Sequence, residues 1–431
     1  MNESAPPHHS HRATIALGAL FILLSVASSP RLLERTVSPD GILDARTISS
    51  LHSAQLVLLG IAAAFISLRK RYDAAQPLRY WARRYPNALA ATIGLVGVAI
   101  MFAAFETAYW FSNVRYADPS VYRYSNGDIH QYDSYLGYKP IPNHETTIAF
   151  SYNGELINST TYTFDQFGRR VTPRPADAPV PDHSMLVFGC SFAFGSCVEG
   201  DETVAARLAQ GLPDRIVYNY AYGGYGTQHM LAILERNDLN VEFEAPPDIA
   251  LYFFIPAHIR RAYGSMIVIT RWGEFFPYYT LDAANRPARS GSFHTSDALR
   301  VSLFHLLAHE QFMKHYKIDL PFRIDDTQLE HTVALIDAAR RRFREISGSD
   351  RFYVVLWPKH PRDEISSTVI IPRLERAGIR YLDYTDIPEA SAPGALTPYD
   401  LHPSASLHEA VAKRAAQELK TSLSMHATAA K

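Results

Sequence analysis

Residues 184–195 read Ser-Met-Leu-Val-Phe-Gly-Cys-Ser-Phe-Ala-Phe-Gly, an apolar run that stops at a glycine and is followed two residues later by a serine. The run is too short for a helix and has no polar alternation, so it reads as a strand buried on both faces. The same rhythm recurs downstream. Strands are predicted at 215–220 (RIVYNY), 248–255 (DIALYFFI) and 351–357 (RFYVVLW), with a short fifth beginning at 380–382. Helical patterns at 202–210, 227–237, 300–315, 327–346, 368–377 and 407–423 separate or follow them. The last helix carries Ser406 and Glu409 in the spacing of a capping box, with Leu407, Val411, Ala415 and Leu419 on its inner face. Strands alternating with helices predict an α/β fold, a three-layer α/β/α sandwich around a parallel sheet. In such sheets the chemistry lies beyond the carboxyl ends of the strands.

Those ends hold a reactive set. Gly189-Cys190-Ser191 follows the first strand, NYAYGGYGTQ (219–228) the second and Pro256-Ala257-His258 the third. Asp400-Leu401-His402-Pro403 precedes the last helix. A serine hydroxyl becomes a nucleophile when a histidine accepts its proton, and a carboxylate orients that histidine. Ser191, His402 and Asp400 supply these parts, with Asp400 and His402 two residues apart on one loop. The developing oxyanion needs fixed donors, and glycine lets backbone N–H groups approach closely. His258 is read either as an oxyanion donor or as a solvated loop histidine beside Arg260 and Arg261. His360, in WPKHP, is read as a loop residue.

These blocks resemble the SGNH/GDSL hydrolases. Gly189-Cys190-Ser191 matches the family's Gly-x-Ser turn, Gly224 its oxyanion glycine, and Asp400-x-His402-Pro403 its C-terminal acid–histidine block. YDSYLGYKPIPN (132–143) and TFDQFGRR (163–170) resemble lead-in segments of membrane-linked bacterial members. The resemblance covers roughly 160–425. It implies a flavodoxin-like sheet, Ser191, Asp400 and His402 as the triad, and the amides of Ser191 and Gly224 in the oxyanion hole. It implies no metal and no organic cofactor. One block departs: the family's oxyanion asparagine is missing from Phe254-Ile255-Pro256-Ala257-His258.

The first 111 residues are of another kind. Runs at 14–29, 48–68 and 88–105 contain no Asp, Glu, Lys or Arg, and are expected to form three transmembrane helices. The first could instead be a cleaved signal segment ending at Ala27-Ser28-Ser29. Arg69, Lys70, Arg71, Arg79, Arg83 and Arg84 stand against Asp73 alone in the second loop. Between the first two runs, Arg31, Arg35 and Arg46 are balanced by Glu34, Asp40 and Asp44. Basic loops stay cytoplasmic, which places the N-terminus inside and everything after residue 112 outside. The predicted organisation is a membrane module over 1–111, a Tyr-, Pro- and Asn-rich connector over 112–180 with short strands near 146–152 and 160–164, and a catalytic domain over 181–425.

Across 431 residues, 42 basic and 43 acidic side chains leave a net charge of -1, without the basic excess of a nucleic-acid binder. Cys190 and Cys197, the two cysteines, cannot make a four-cysteine zinc site; a disulfide between them and two buried free thiols both stay open. The aromatics Trp272, Phe275, Phe276, Tyr278 and Tyr279 are either a sugar-stacking platform or the apolar underside of a lid hairpin. Together these readings give an inner-membrane, multi-pass bacterial esterase with a periplasmic catalytic domain. Its expected partners are the lipid bilayer and an acylated, chiefly acetylated, envelope or secreted polysaccharide. The alternatives are an O-acetyltransferase working with a polytopic export or acyltransferase partner, and a silent glycan-binding or scaffold domain.

Overall fold

A computed structural model of the chain describes residues 10–27, 45–68, 122–124, 129–152, 154–174, 181–308 and 318–429, with a few single residues between 29 and 87. The chain divides into two compact units, Met1–Pro119 with Glu310–His315, and Ser120–His309 with Tyr316–Lys431.

In the first unit, helices α1 (Ser10–Ala27) and α2 (Ala45–Leu68) pack antiparallel. Gly18 lies against Ala62 and Ile66 at one end of the contact. At the other, the Gln55 side-chain amide donates to the Ser25 carbonyl at 3.0 Å. Ser25 and Ala62 are buried, whereas Leu23, Leu56 and Val57 are exposed. The first two expected spans are thus helices. By hydropathy, no helix among the described residues is long and apolar enough to cross a membrane. The third expected span, 88–105, and the charged loops on which the orientation rests fall almost wholly outside the described residues.

The second unit is built on five parallel strands: β6 (His183–Phe188), β7 (Arg215–Asn219), β8 (Pro247–Phe254), β11 (Phe352–Leu356) and β12 (Arg380–Asp383), in the order β7-β6-β8-β11-β12. Counted along the sheet's own strands this is 2-1-3-4-5, the flavodoxin-like order. β8 and β11 are buried at every position, as their unbroken apolar runs require. The chain steps one way from β6 to β7 and the other way from β7 to β8. Right-handed crossovers then put helix α4 (Val204–Gly211) on one face and α5 (Thr227–Leu234) on the other. The C-terminal helix α10 (Ala405–Ala429) packs on α4, while α6 (Ala257–Tyr263) and α8 (Asp326–Ser347) pack with α5. The reversal of direction occurs at β6, so the turn after β6 lies at the topological switch point.

Element by element the expected strands and helices are present within a few residues, with α7 (Ala298–Ala308) and α9 (Ile371–Arg376) shorter than predicted among the described residues. One start signal misleads. α10 begins at Ala405 rather than at Leu407, and Ser406 Oγ pairs with Ser404 Oγ at 2.9 Å, so the Ser406/Glu409 capping box does not form. The face bearing Leu407, Val411, Ala415 and Leu419 is buried as predicted.

The stretch 112–180 is more than a connector. From Ser120 it belongs to the same compact unit as the sheet. It forms β1 (Tyr122–Tyr124), β4 (Glu145–Tyr152) and β5 (Glu155–Thr163) as an antiparallel sheet, and β2 (His130–Asp133) with β3 (Gly137–Pro140) as a hairpin. The interruption at 264–296 holds a second hairpin, β9 (Pro277–Leu281) with β10 (Pro287–Ser292). Phe276 and Tyr279 are enclosed beneath it, while Trp272 and Phe275 remain exposed.

Candidate active site

Ser191 opens a single helical turn, α3 (Ser191–Phe194), at the carboxyl end of β6. The turn closes when the N–H groups of Gly195 and Ser196 donate to the Ser191 carbonyl at 3.0 and 2.9 Å. Gly195 adopts φ +85, and a Cβ there would lie 2.6 Å from the Thr203 methyl. Arg170 locks the exit of the turn: its guanidinium donates to the carbonyls of Phe194 (2.9 Å), Gly195 (2.5 Å) and Val198 (2.6 Å). Burial pulls the Arg170 pKa down to about 10, which leaves it charged at neutral pH. The second arginine of TFDQFGRR therefore shapes the nucleophile turn, a role that its distance along the chain concealed.

Gly224 lies in the loop after β7 with φ +80, and a Cβ there would fall 2.2 Å from the Tyr138 hydroxyl. That hydroxyl donates to the Gly223 carbonyl at 2.7 Å. Among the described hydrogen bonds the N–H groups of Ser191 and Gly224 donate to no protein acceptor, which leaves both available to a substrate oxygen.

The acid–histidine loop is held in a strained form. Tyr399 and Leu401 have φ of +61 and +63, left-handed values that non-glycine residues adopt at a cost. Leu396 and Pro403 bridge its base, and Thr397 N–H donates to the His402 carbonyl at 2.8 Å. His360 anchors the tip. Its Nδ1 accepts from the Arg362 N–H, so its Nε2–H donates to the Leu401 carbonyl at 2.9 Å. Tyr399 also stacks on Tyr152 of β4 with ring centroids 3.9 Å apart. Within this frame His402 Nδ1 and Asp400 Oδ2 lie 2.5 Å apart. The carboxylate fixes the tautomer with the proton on Nδ1, leaving Nε2 as the base.

Asp400 Oδ2 has a second donor that the sequence reading missed, the Cys197 thiol at 3.0 Å. Cys197 sits at φ +69; its N–H donates to the Tyr162 hydroxyl, and its carbonyl accepts from Asn158 Nδ2, both at 3.0 Å. Burial, and then the hydrogen bond to Asp400, push the thiol's pKa up. Cys190 and Cys197 are both free thiols, so the disulfide left open by the sequence is absent. Ligand atoms of Cys197, Asp400 and His402 lie within 4.8 Å of one another, a donor set a thiophilic divalent cation could use. Here Asp400 Oδ2 accepts from both the Cys197 thiol and His402 Nδ1.

The structure brings together some of the expected residues and not others. Asp400 and His402 line a cavity of about 500 Å³ together with the nucleophile loop, the 222–223 turn and the β2–β5 layer. Ser191 sits beside that loop, with no Ser191–His402 hydrogen bond among those described; the link is Phe192, whose ring meets the His402 ring edge-on at 5.6 Å. His258 is elsewhere. Its ring is enclosed in the core with Nδ1 2.7 Å from the Tyr252 hydroxyl, and it does not line the cavity. Burial pulls its pKa well below the usual imidazole range. The oxyanion role expected for His258 gains no support from this placement, and nor does the solvated-loop alternative. Proline 256 starts α6 immediately after β8 and turns His258 inward as part of that helix.

Its neighbours among solved structures are esterases and lipolytic proteins. One, assigned to the G-D-S-L lipolytic family, is from Desulfitobacterium hafniense (14% identity over 55% of this chain and 98% of that chain, TM-score 0.31). Another is the psychrotrophic esterase EstA from a Pseudoalteromonas species (11%, 56% and 99%, 0.33). A third is the acetyl xylan esterase Est2A from Butyrivibrio proteoclasticus (11%, 66% and 72%, 0.35). No family profile and no curated protein matches the chain. Likeness at this level carries nothing about substrate; the strand order and the Asp400–His402 pair are read from this chain's own structure.

Proposed function

We propose that this chain is a serine ester hydrolase anchored in the bacterial inner membrane, with its sheet unit facing the periplasm and acting on O-acylated envelope or secreted polysaccharide. The observation that carries the chemistry is the Asp400–His402 pair at 2.5 Å, set at the carboxyl edge of a flavodoxin-like sheet beside Ser191. Ser191 Oγ attacks the ester carbonyl while His402 Nε2 takes its proton. This contact forms as substrate closes the site, since catalytic hydrogen bonds in free enzymes are often long. The carbonyl oxygen gains negative charge and is held by the Ser191 and Gly224 N–H groups. Collapse expels the alcohol, protonated by His402, and leaves an acyl-Ser191 that water cleaves by the same route.

Two observations support the membrane anchor, although hydropathy alone does not carry α1 or α2 across a bilayer. The helices turn Gly18, Ala62, Ser25 and Gln55 toward each other and Leu23, Leu56 and Val57 outward, the arrangement of helices associating in lipid. The 69–84 loop carries the basic bias of a cytoplasmic segment.

Detergent-solubilised full-length protein should be labelled by a fluorophosphonate probe and should hydrolyse an activated ester. Ser191→Ala should abolish both, and His402→Ala should lower turnover on the order of 10⁴-fold. Labelling that survives Ser191→Ala would remove the triad. Hydrolysis that accelerates on adding an oligosaccharide acceptor would move the reading to acyl transfer.

A further inference from the structure

The cavity beside His402 is large for an acetyl group and is furnished for something else. Its 500 Å³ falls in the range of sites that enclose a whole small ligand, roughly 300–1,000 Å³. Its apolar and aromatic walls are Ile129, Ile148, Phe150, Tyr162, Phe194 and Tyr222, with Asn158, Ser196 and Cys197 between them.

Most of the polar groups among these walls are already engaged with one another. Tyr138 donates to the Gly223 carbonyl, Tyr222 to the Ile129 carbonyl, and Tyr162 accepts from Cys197 N–H. Asn158 donates to the Cys197 carbonyl and accepts from Thr160, while the Cys197 thiol is held by Asp400. A sugar ring entering here would find fewer partners for its hydroxyls than water gives them, because most of these groups already hold one another, and that is costly. Hydrocarbon would lie chiefly against the side chains of Ile129, Ile148 and Phe150 and the rings of Tyr162, Phe194 and Tyr222. The exposed polar side chains, His130 and Arg271, stand at the rim beside Trp272.

Resting on the esterase reading above, we propose that this cavity binds an apolar arm of the ester, a medium-length hydrocarbon chain or an aromatic ring, and that acetyl is not the preferred acyl group. The arm belongs either to the acyl group or to the alcohol. Polysaccharide contacts, where they exist, fall outside the cavity.

The test is a chain-length series on the detergent-solubilised full chain. Nitrophenyl esters from acetate to octanoate vary the acyl arm, and alkyl acetates from ethyl to octyl vary the alcohol arm. Each buried methylene should raise kcat/KM by about fourfold until the cavity is full. The arm that occupies the cavity shows the rise and the other stays flat, and either pattern supports the proposal while naming the source. Ile148→Trp, which fills the cavity from β4, should flatten the rise. Should that variant fail to fold, by circular dichroism, the slope of the native chain decides by itself. A flat or falling slope in both series, with hydrolysis lost in Ser191→Ala, overturns the cavity proposal and leaves the esterase standing. Acetylated oligosaccharide cleaved better than every alkyl ester also overturns it. Absence of Ser191-dependent hydrolysis with any ester overturns the underlying reading instead.

Discussion

The helical pair and the sheet unit sort their side chains in opposite ways. In α1 and α2 a serine is buried to 3% while Leu23 and Leu56 stand 67% and 71% exposed. In the sheet unit Leu186, Leu251 and Leu356 are fully buried and most of its charged side chains face outward. Apolar surface is covered wherever water is the solvent, so the two regions, on the reading proposed here, are built for different solvents. The difference also separates how each is held. The helical pair is stitched by small residues and by hydrogen bonds between Ser25 and Gln55, and the sheet unit by a continuous apolar core crossed by buried hydrogen-bonded ions such as Arg170.

The largest effect that would break this contrast is topological. A reporter active only in the cytoplasm, fused after Leu78, should be on, and fused after Arg115 it should be off. The reverse pattern would put the sheet unit in the cytoplasm.

Next in size is Arg170→Met. It leaves three buried carbonyls without their donor and should destabilise the sheet unit by about 3 kcal/mol, read as a lower thermal midpoint in near-ultraviolet circular dichroism. Hydrogen exchange of α1 and α2 should be unchanged; a loss of protection there would mean that the two units unfold together.

A smaller effect is expected at the site. Cys197→Ala removes one donor from Asp400 and should lower kcat about tenfold with little change in KM, whereas Cys197→Ser, which keeps a donor, should recover most of the loss. Equal losses in the two variants would make the contact a packing detail.

The last effect is graded, spread over several pH units instead of concentrated in one substitution. His408 Nδ1 accepts from the Val204 N–H at 3.1 Å, and burial lowers its pKa to about 3; burial also lowers those of His229, His331 and His360. The unfolded chain binds protons at these rings below about pH 6.5 and the folded one does not. Stability is therefore complete above about pH 6.5 and falls as pH drops toward 3, by up to about 1.4 kcal/mol per pH unit for His408, with the other rings adding in the same direction. No buried histidine is described in α1 or α2, so acid should unfold the sheet unit first. A flat stability profile between pH 7 and 5 would show that these rings are solvated.

Much of this was legible in the chain. Local period and apolar runs located the sheet's strands because β6, β8 and β11 are buried on both faces and need no partner to be recognised. The Asp400–His402 pair was readable because both members share one short loop. Arg170 and Cys197 were not, since each acts on a partner that folding alone brings near: Cys197 and Asp400 are 203 positions apart. The antiparallel layer over 122–163 was read as a connector because its strands are short and half-exposed, with little apolar alternation to mark them. His258 was placed at the site by its strand-end position, and the helical turn starting at Pro256 carries it into the core instead.

The Cys197–Asp400 contact bears on survival in an oxidising compartment. Oxidants and disulfides attack the thiolate, not the thiol. A sulfur that is desolvated and donates a hydrogen bond to a carboxylate keeps its proton and holds almost no thiolate at neutral pH, and Cys190 is itself shielded at 1% exposure. If the sheet unit faces the periplasm, as proposed above, two unpaired cysteines outside the reducing cytosol, one of them beside the Asp400–His402 pair, would not be consumed by the redox chemistry around them.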